Sequence, residues 1–559
     1  MAVTVEQWDT WELAYESDRD HANPFVDVVL TAVFRHRESG RQLTVDGFYD
    51  GGRTWRLRFM PTEQGEWQYE TTSPDGGLGG RSGSLHCVSA RAPYLHGPLR
   101  AEGYHFRHAD GTRRYLVSTR VTCQFAGPAV RQGVVRFCAE NKLNRVFFIM
   151  GGIRGTIADL YGGTKDRRDF SRYDVRRFQD IDAFIDELRR ADIIAGPYFF
   201  YYPDGDQRAM TEDQDRAFLR YGMARFGAYC NVMPCLANQV EQKHTPGPKG
   251  GGGYDPRNHV WANAMGRYLK EKAVFGVPVT VHNPLENQVP EGIKPSYYTL
   301  LGDWDFPWAD LMLRQAQIGA LGAVAELRDD LPEQYLCQAI PGPNNTLFPT
   351  FYNPRAYAMQ NRLLVDLRRF GIPVVNEEPG YEMKGLGGGT TKAFLFEAWN
   401  GQTSESLLSA FWTAATAGAY SMWGSSEIYN MGDPLPGMQN SVVPQYLRVL
   451  QDCMTELPYW EMEPANDAVS PGELDVDGQP WPTNFCAAKP GEVYLVYSEY
   501  GGAGRITLAG GGSYRVTRLN PRVGLRDDLG RVDAGPSDFM LPRGEWVLLY
   551  RAEPATPAG

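Results

Sequence analysis

Between residues 100 and 460 the chain alternates short apolar runs with longer amphipathic ones, and this alternation limits its fold more than any other feature. The apolar runs fall at 115–121, 145–150, 193–200, 232–236, 277–281, 372–375 and 419–422. The amphipathic stretches fall at 176–190, 215–226, 263–272, 354–370 and 404–417. Strand candidates alternating with helices at a 3.6-residue period read as parallel β/α units. A stretch of about 350 residues suits an eightfold barrel with insertions. The sixth strand is the weakest, with 304–310 as its candidate region. The expected fold class is therefore α/β: a (β/α)8 TIM barrel over 100–462, with a doubly wound sheet as runner-up.

The flanks read differently. Residues 1–92 carry strand candidates at 26–34, 43–49, 54–60, 66–72 and 84–88, punctuated by Asp50-Gly51-Gly52 and Asp75-Gly76-Gly77. Residues 465–559 carry further candidates at 493–498, 505–508, 514–519 and 545–550. Short strands between Gly-rich turns suit β-sandwich domains on both sides of the barrel. The glycine run at 247–253 lacks the strand-to-helix setting and the Gly-Lys-Ser/Thr ending of a phosphate loop.

Composition narrows the chemistry. A formal net charge of −11 argues against nucleic acid as the main partner, and no basic patch stands out. The eight cysteines are scattered without C-x-x-C or zinc spacing, so neither a metal nor an organic cofactor is expected. No apolar run reaches the length of a membrane span. The first residues show neither a basic nor an apolar leader, and a cytoplasmic location is the expectation. Aromatics make up 12% of the chain, which serves ordinary packing and equally a cleft where sugar rings lie on aromatic faces.

In a barrel, chemistry sits where the strands end. After the fourth strand candidate come Asn238, Gln239 and Glu241; after the seventh, Asn376, Glu377, Glu378, Tyr381 and Glu382. His282 and Asn283 follow the fifth, Trp423 the eighth, and Arg120 closes the first. Two acidic groups facing each other across one sugar could serve as proton donor and as nucleophile or base. A single glutamate after a strand is more often a solvated loop residue. A buried histidine such as His282 is as often a hydrogen-bonded core group, and Trp423 could serve packing alone.

At these residues the chain resembles bacterial glycoside hydrolases of the clan A type, the apiosidase-like and family-five-like barrels preceded by an immunoglobulin-like domain. The marks are Asn23-Pro24-Phe25, Gly47-Phe48-Tyr49-Asp50, Gly65-Glu66-Trp67, Leu236-Ala237-Asn238 and Asn376-Glu377-Glu378-Pro379-Gly380-Tyr381-Glu382. The resemblance implies a retaining glycosidase with Glu378 as nucleophile, and the expected cytoplasmic location favours exo-action on small imported saccharides. It implies that Asn238 bonds the hydroxyl beside the anomeric carbon. Arg120, His282, Asn283 and Trp423 would line the subsite, with Tyr201, Tyr202, Asp204, Trp304 and Trp308 as further candidates. Tyr381 and Glu382 would shape the nucleophile loop.

The acid/base should stand directly after Asn238, yet Gln239 is there. An amide can neither donate a proton as a carboxylic acid does nor accept one as a carboxylate does. Three readings stay open: an engineered Glu→Gln variant, proton transfer by Glu241 instead, or a carbohydrate-binding protein without turnover. The expected partner is a carbohydrate, and the flanking sandwiches could brace the barrel or build a homo-oligomer contact.

Overall fold

The computed structural model describes residues 3–151, 160–164, 167–202, 206–240, 243–244, 255–282, 305–316, 354–382, 401–425, 427–428, 432–476 and 479–553. At its centre seven parallel strands hydrogen-bond in the order Cys235–Asn238, Ile194–Tyr201, Arg145–Ile149, Val117–Arg120, Tyr420–Ser425, Val374–Asn376, Met312–Arg314. All run the same way, so their C-terminal ends share one rim.

This corrects the expected (β/α)8 barrel. Among the described residues the sheet's main path has seven parallel strands, with the two-residue strands Tyr381–Glu382 and Gly401–Gln402 paired beside it, and the run at 277–281 does not become a further strand. Thr280 and His282 make only single parallel bridges, to Cys235 and Leu313 of the two outermost strands. Pro278 removes a ladder donor from that run. Pro234 faces it across the bridge region, where its carbonyl accepts from the Thr280 amide. The sixth candidate, 304–310, is also displaced: the strand is Met312–Arg314.

Helices pack behind the strands, and their caps explain where they start. Thr211 and Gln214 form a reciprocal capping box at the head of helix Glu212–Phe226, and Thr403 with Ser406 does the same for helix Ser404–Thr416. Asp174 accepts from the Arg177 amide at the head of helix Val175–Arg190. Gly222 allows close approach of its helix to the sheet: a Cβ there would fall 2.4 Å from the Phe199 ring. The apolar faces of these helices and the strand side chains merge into one buried core.

The N-terminal strands form a five-stranded and a three-stranded sheet over a core that includes Phe34, Trp55, Phe59 and Trp67. The C-terminal strands pack around a further, separate core that includes Ile506, Tyr514 and Leu548. They form one six-stranded antiparallel sheet in which Gly502–Leu519 and Arg526–Leu541 make a long hairpin, with a separate two-stranded pair.

A buried charge network fastens the N-terminal sheets to the helices. The Arg58 guanidinium donates to both oxygens of Asp182 at 2.7 and 2.9 Å and to the Arg225 carbonyl at 2.7 Å. Arg225 in turn donates to Asp182 and, at 2.9 Å, to Asp50. Asp182 thus serves two buried guanidiniums. Replacing Asp182 with Ala leaves them short of an anion, and breaking a buried pair from one side costs about 3–5 kcal/mol. Chemical denaturation of Asp182→Ala should show a loss of that size, while Asp20→Ala, at an exposed pair with Arg53, should leave the unfolding midpoint close to that of the parent.

Candidate active site

Strand alternation sorts the side chains at the rim. Asn376 points outward: its amide donates to Gln360 on helix Pro354–Leu367 at 2.7 Å and to the Ala316 carbonyl at 2.9 Å. Glu377, the next residue, points inward and is fully buried. Arg145 donates to both its oxygens, at 3.0 and 2.8 Å, and the Tyr198 hydroxyl donates at 2.9 Å. Arg145 also reaches Ser118 Oγ at 3.3 Å. These groups form a charged floor in which one Arg145 nitrogen makes all three of the arginine's hydrogen bonds.

Glu378 lies beyond the strand end. Its Oε1 accepts from Arg120 at 3.1 Å and from the Tyr381 hydroxyl at 2.8 Å, and Arg120 also donates to the Tyr381 oxygen at 2.9 Å. Gln315 donates to its other oxygen. Burial pushes the Glu378 carboxyl above the usual glutamate value, and the neighbouring Glu377 adds to this; Arg120, Tyr381 and Gln315 oppose it only in part. The ring of Phe147 lies under both guanidiniums, 5.4 Å from that of Arg120 and 5.7 Å from that of Arg145.

On the strand Cys235–Asn238, Asn238 pairs in register with Tyr201. Gln239 follows in the left-handed region, at φ 52°, a conformation that costs a non-glycine residue energy and turns the chain sharply. Its backbone N–H donates to Nδ1 of His282 at 3.4 Å. With Nδ1 accepting, the ring proton sits on Nε2, a buried atom without a partner among the described residues. Burial first, then Arg120, Arg145 and Arg314, pushes the His282 pKa down to about 3. His282 is therefore a neutral donor at the rim over the whole neutral range.

The Gln239 segment is held from its far side. Lys243 Nζ donates to the carbonyls of Gln207 and Met210 at 3.1 and 3.0 Å and to Asp215 at 3.1 Å. Trp261 donates to the other Asp215 oxygen at 2.8 Å. Burial pushes Asp215 up to about 6 despite Lys243 beside it.

The remaining expected site residues divide. Glu382 is a framework group: it accepts from Ser404 at 2.7 Å, Trp423 Nε1 at 3.2 Å and Ser441 at 2.5 Å, tying its strand to two helix starts. Trp423 is fully buried, and its carbonyl accepts from Thr119. Trp308 is not at the rim. It precedes its strand and packs on helix Pro256–Lys272, where a Cβ on Gly266 would fall 1.9 Å from its ring. Glu241, Asn283, Trp304 and Asp204 lie outside the described residues. Sequence reasoning missed Arg145, Tyr198, Gln315 and Lys243 as rim or floor groups. The signal for Arg145 was present, since a charge opening the apolar run Arg145–Ile149 needs a buried counter-ion. Gln315 was hidden by the misplaced sixth strand. All seven described cysteines are free and buried, and no group of metal-ligating side chains occurs among the described residues.

Residues 4–74 match the family described as "Domain of unknown function (DUF5060)". No curated protein matches the chain. Solved structures do resemble it. A candidate glycoside hydrolase from Bacteroides vulgatus aligns with a TM-score of 0.70 and 18% identity, over 98% of this chain and 100% of that one. A family 5 glycoside hydrolase from Bacteroides vulgatus aligns with a TM-score of 0.58 and 15% identity, over 83% and 95%. Another glycoside hydrolase aligns with a TM-score of 0.59 and 14% identity, over 83% and 99%. The fold is thus one that glycoside hydrolases adopt.

The two adjacent glutamates differ in their surroundings. Glu377→Gln leaves Arg145, itself fully buried, without its carboxylate, and should cost about 3–5 kcal/mol in denaturant unfolding. An unchanged stability would mean that the Arg145–Glu377 pair does not support the sheet.

Proposed function

We propose that this chain is built as a retaining glycoside hydrolase for oligosaccharides or small glycosides, with Glu378 as the nucleophile and position 239 as the acid/base. The observation that carries the reading is the clamp on Glu378 by Arg120, Tyr381 and Gln315 at the rim. Three donors hold the carboxylate in one orientation, as attack on an anomeric carbon requires. Parallel pairing brings Gln239 and His282 to the same rim, and the Arg120 charge acts on both His282 and Glu378. The neutral Nε2–H of His282 suits a sugar hydroxyl. Exo-action on short saccharides belongs to the same proposal.

In this reading a Glu378 oxygen attacks the anomeric carbon as the bond to the leaving oxygen breaks. That oxygen needs a proton, which an acid at position 239 would supply. Water then releases the sugar, with the same group as base. Gln239 can do neither. The chain as it stands would accept activated glycosides slowly and release the sugar more slowly still. A second reading, a carbohydrate binder without turnover, is favoured by that same amide.

Gln239→Glu separates the two. On the enzyme reading, turnover of a panel of glycosides should rise by about 10²–10⁴, and adding Glu378→Gln should abolish it. Because the nucleophile must be ionised, the acid limb of kcat/KM should have its midpoint above 4.5, the ordinary glutamate value. Sugar binding without turnover in the restored protein would leave the binder.

A further inference from the structure

The C-terminal sheet lies against helices Pro354–Leu367 and Ser404–Thr416. Tyr497, on strand Val493–Ser498, donates to Ser409 Oγ at 2.9 Å, and its ring stacks on Trp412 at 6.1 Å. Glu499 follows that strand directly. It is buried at 4% exposure, and neither carboxyl oxygen has a partner in hydrogen-bonding geometry among the described residues.

The groups that face it do not supply a counter-charge. Helix Pro354–Leu367 brings Tyr357, a neutral phenol whose buried hydroxyl lies near Ser406 as well as Glu499. Its own segment brings Tyr497 and Tyr500. The start of strand Trp546–Ala552 is preceded by Glu545, a second carboxyl. Beyond Glu545 lies Arg522, which is already engaged: it donates to Glu545 through Nε at 3.0 Å and through Nη2, and reaches Glu405 of helix Ser404–Thr416 at 3.4 Å. One guanidinium thus serves two carboxylates before Glu499 is counted. An ionised Glu499 would be a buried, unpaired charge next to another anion, the costliest way to place a carboxyl.

We propose that Glu499 makes docking of the C-terminal sheet pH-dependent: it is held as the neutral acid while the sheet is docked and ionises when the junction opens to water. Burial first, then Glu545, pushes its carboxyl well above the ordinary glutamate value, and Tyr500 offsets this in part. The sign follows from linkage. The docked form holds a proton that the opened form releases, so docking is tightest below about 4.5, the ordinary value, and weakens as pH rises towards the docked midpoint. Within that window the opening constant grows about ten-fold per pH unit. Above it the dependence levels off.

Amide hydrogen exchange of the full chain, followed at 354–367 and 493–498 and corrected for the intrinsic pH dependence of exchange, reads the opening constant directly. We expect it to climb with pH in the parent and to stay level in Glu499→Gln, with the two proteins converging near pH 4.5. Glu499→Met is a second neutral variant should Glu499→Gln fail to fold. A level parent curve overturns the proposal whatever the variants do. A neutral variant as steep as the parent overturns it as well, because the titrating group would then lie elsewhere.

Discussion

Two neighbouring glutamates, each met by a different arginine, set the terms for the whole rim. Glu377 and Glu378 are both buried, and two carboxylates side by side in a dry site repel each other. The structure resolves this by sending them to different layers. Glu377 is neutralised in the floor by Arg145 and Tyr198. Glu378 is held higher by Arg120, Tyr381 and Gln315. Burial, with a smaller contribution from Glu377, still leaves the Glu378 carboxyl above the ordinary glutamate value. A buried carboxyl with a raised pKa, held by three donors at a strand end, suits chemistry better than structure.

That arrangement needs stiff surroundings. The strained Gln239 backbone stays in place because the chain is held on both sides, by the Asn238–Tyr201 pairing and by Lys243 on Asp215. Glu382 fixes the other loop through three donors from separate elements. Behind the rim, the Arg58–Asp182–Arg225 network joins the N-terminal sheets to the helices. At the opposite flank the C-terminal sheet packs through Tyr497 and Trp412, with Glu499 buried uncompensated. Both flanks are attached in part by charge, the N-terminal one through buried pairs and the C-terminal one through partly exposed pairs such as Arg522–Glu405 beside the Tyr497–Trp412 contact.

Much of this was legible in the order of residues. Six of the parallel strands overlap their apolar runs, because a strand buried on both faces is predominantly apolar. The helix ends follow from Thr211, Asp174 and Thr403, whose side chains cap exposed amides. The failures have equally local causes. The 277–281 run looks like a strand by hydrophobicity but carries Pro278, and Trp308 looks like a cleft aromatic but fills the gap left by Gly266.

The sequence alone determined the parallel β/α pattern, the all-β flanks and the short list of polar residues at the strand ends, since those depend on periodicity and composition within a few residues. It could not assign partners. Which arginine meets which glutamate, whether a buried histidine accepts or donates, and which carboxyl is left without a counter-ion depend on residues hundreds of positions apart, such as Arg120 and Glu378. Only packing brings them within hydrogen-bond reach, and charge interactions become decisive only at those distances and in the absence of water.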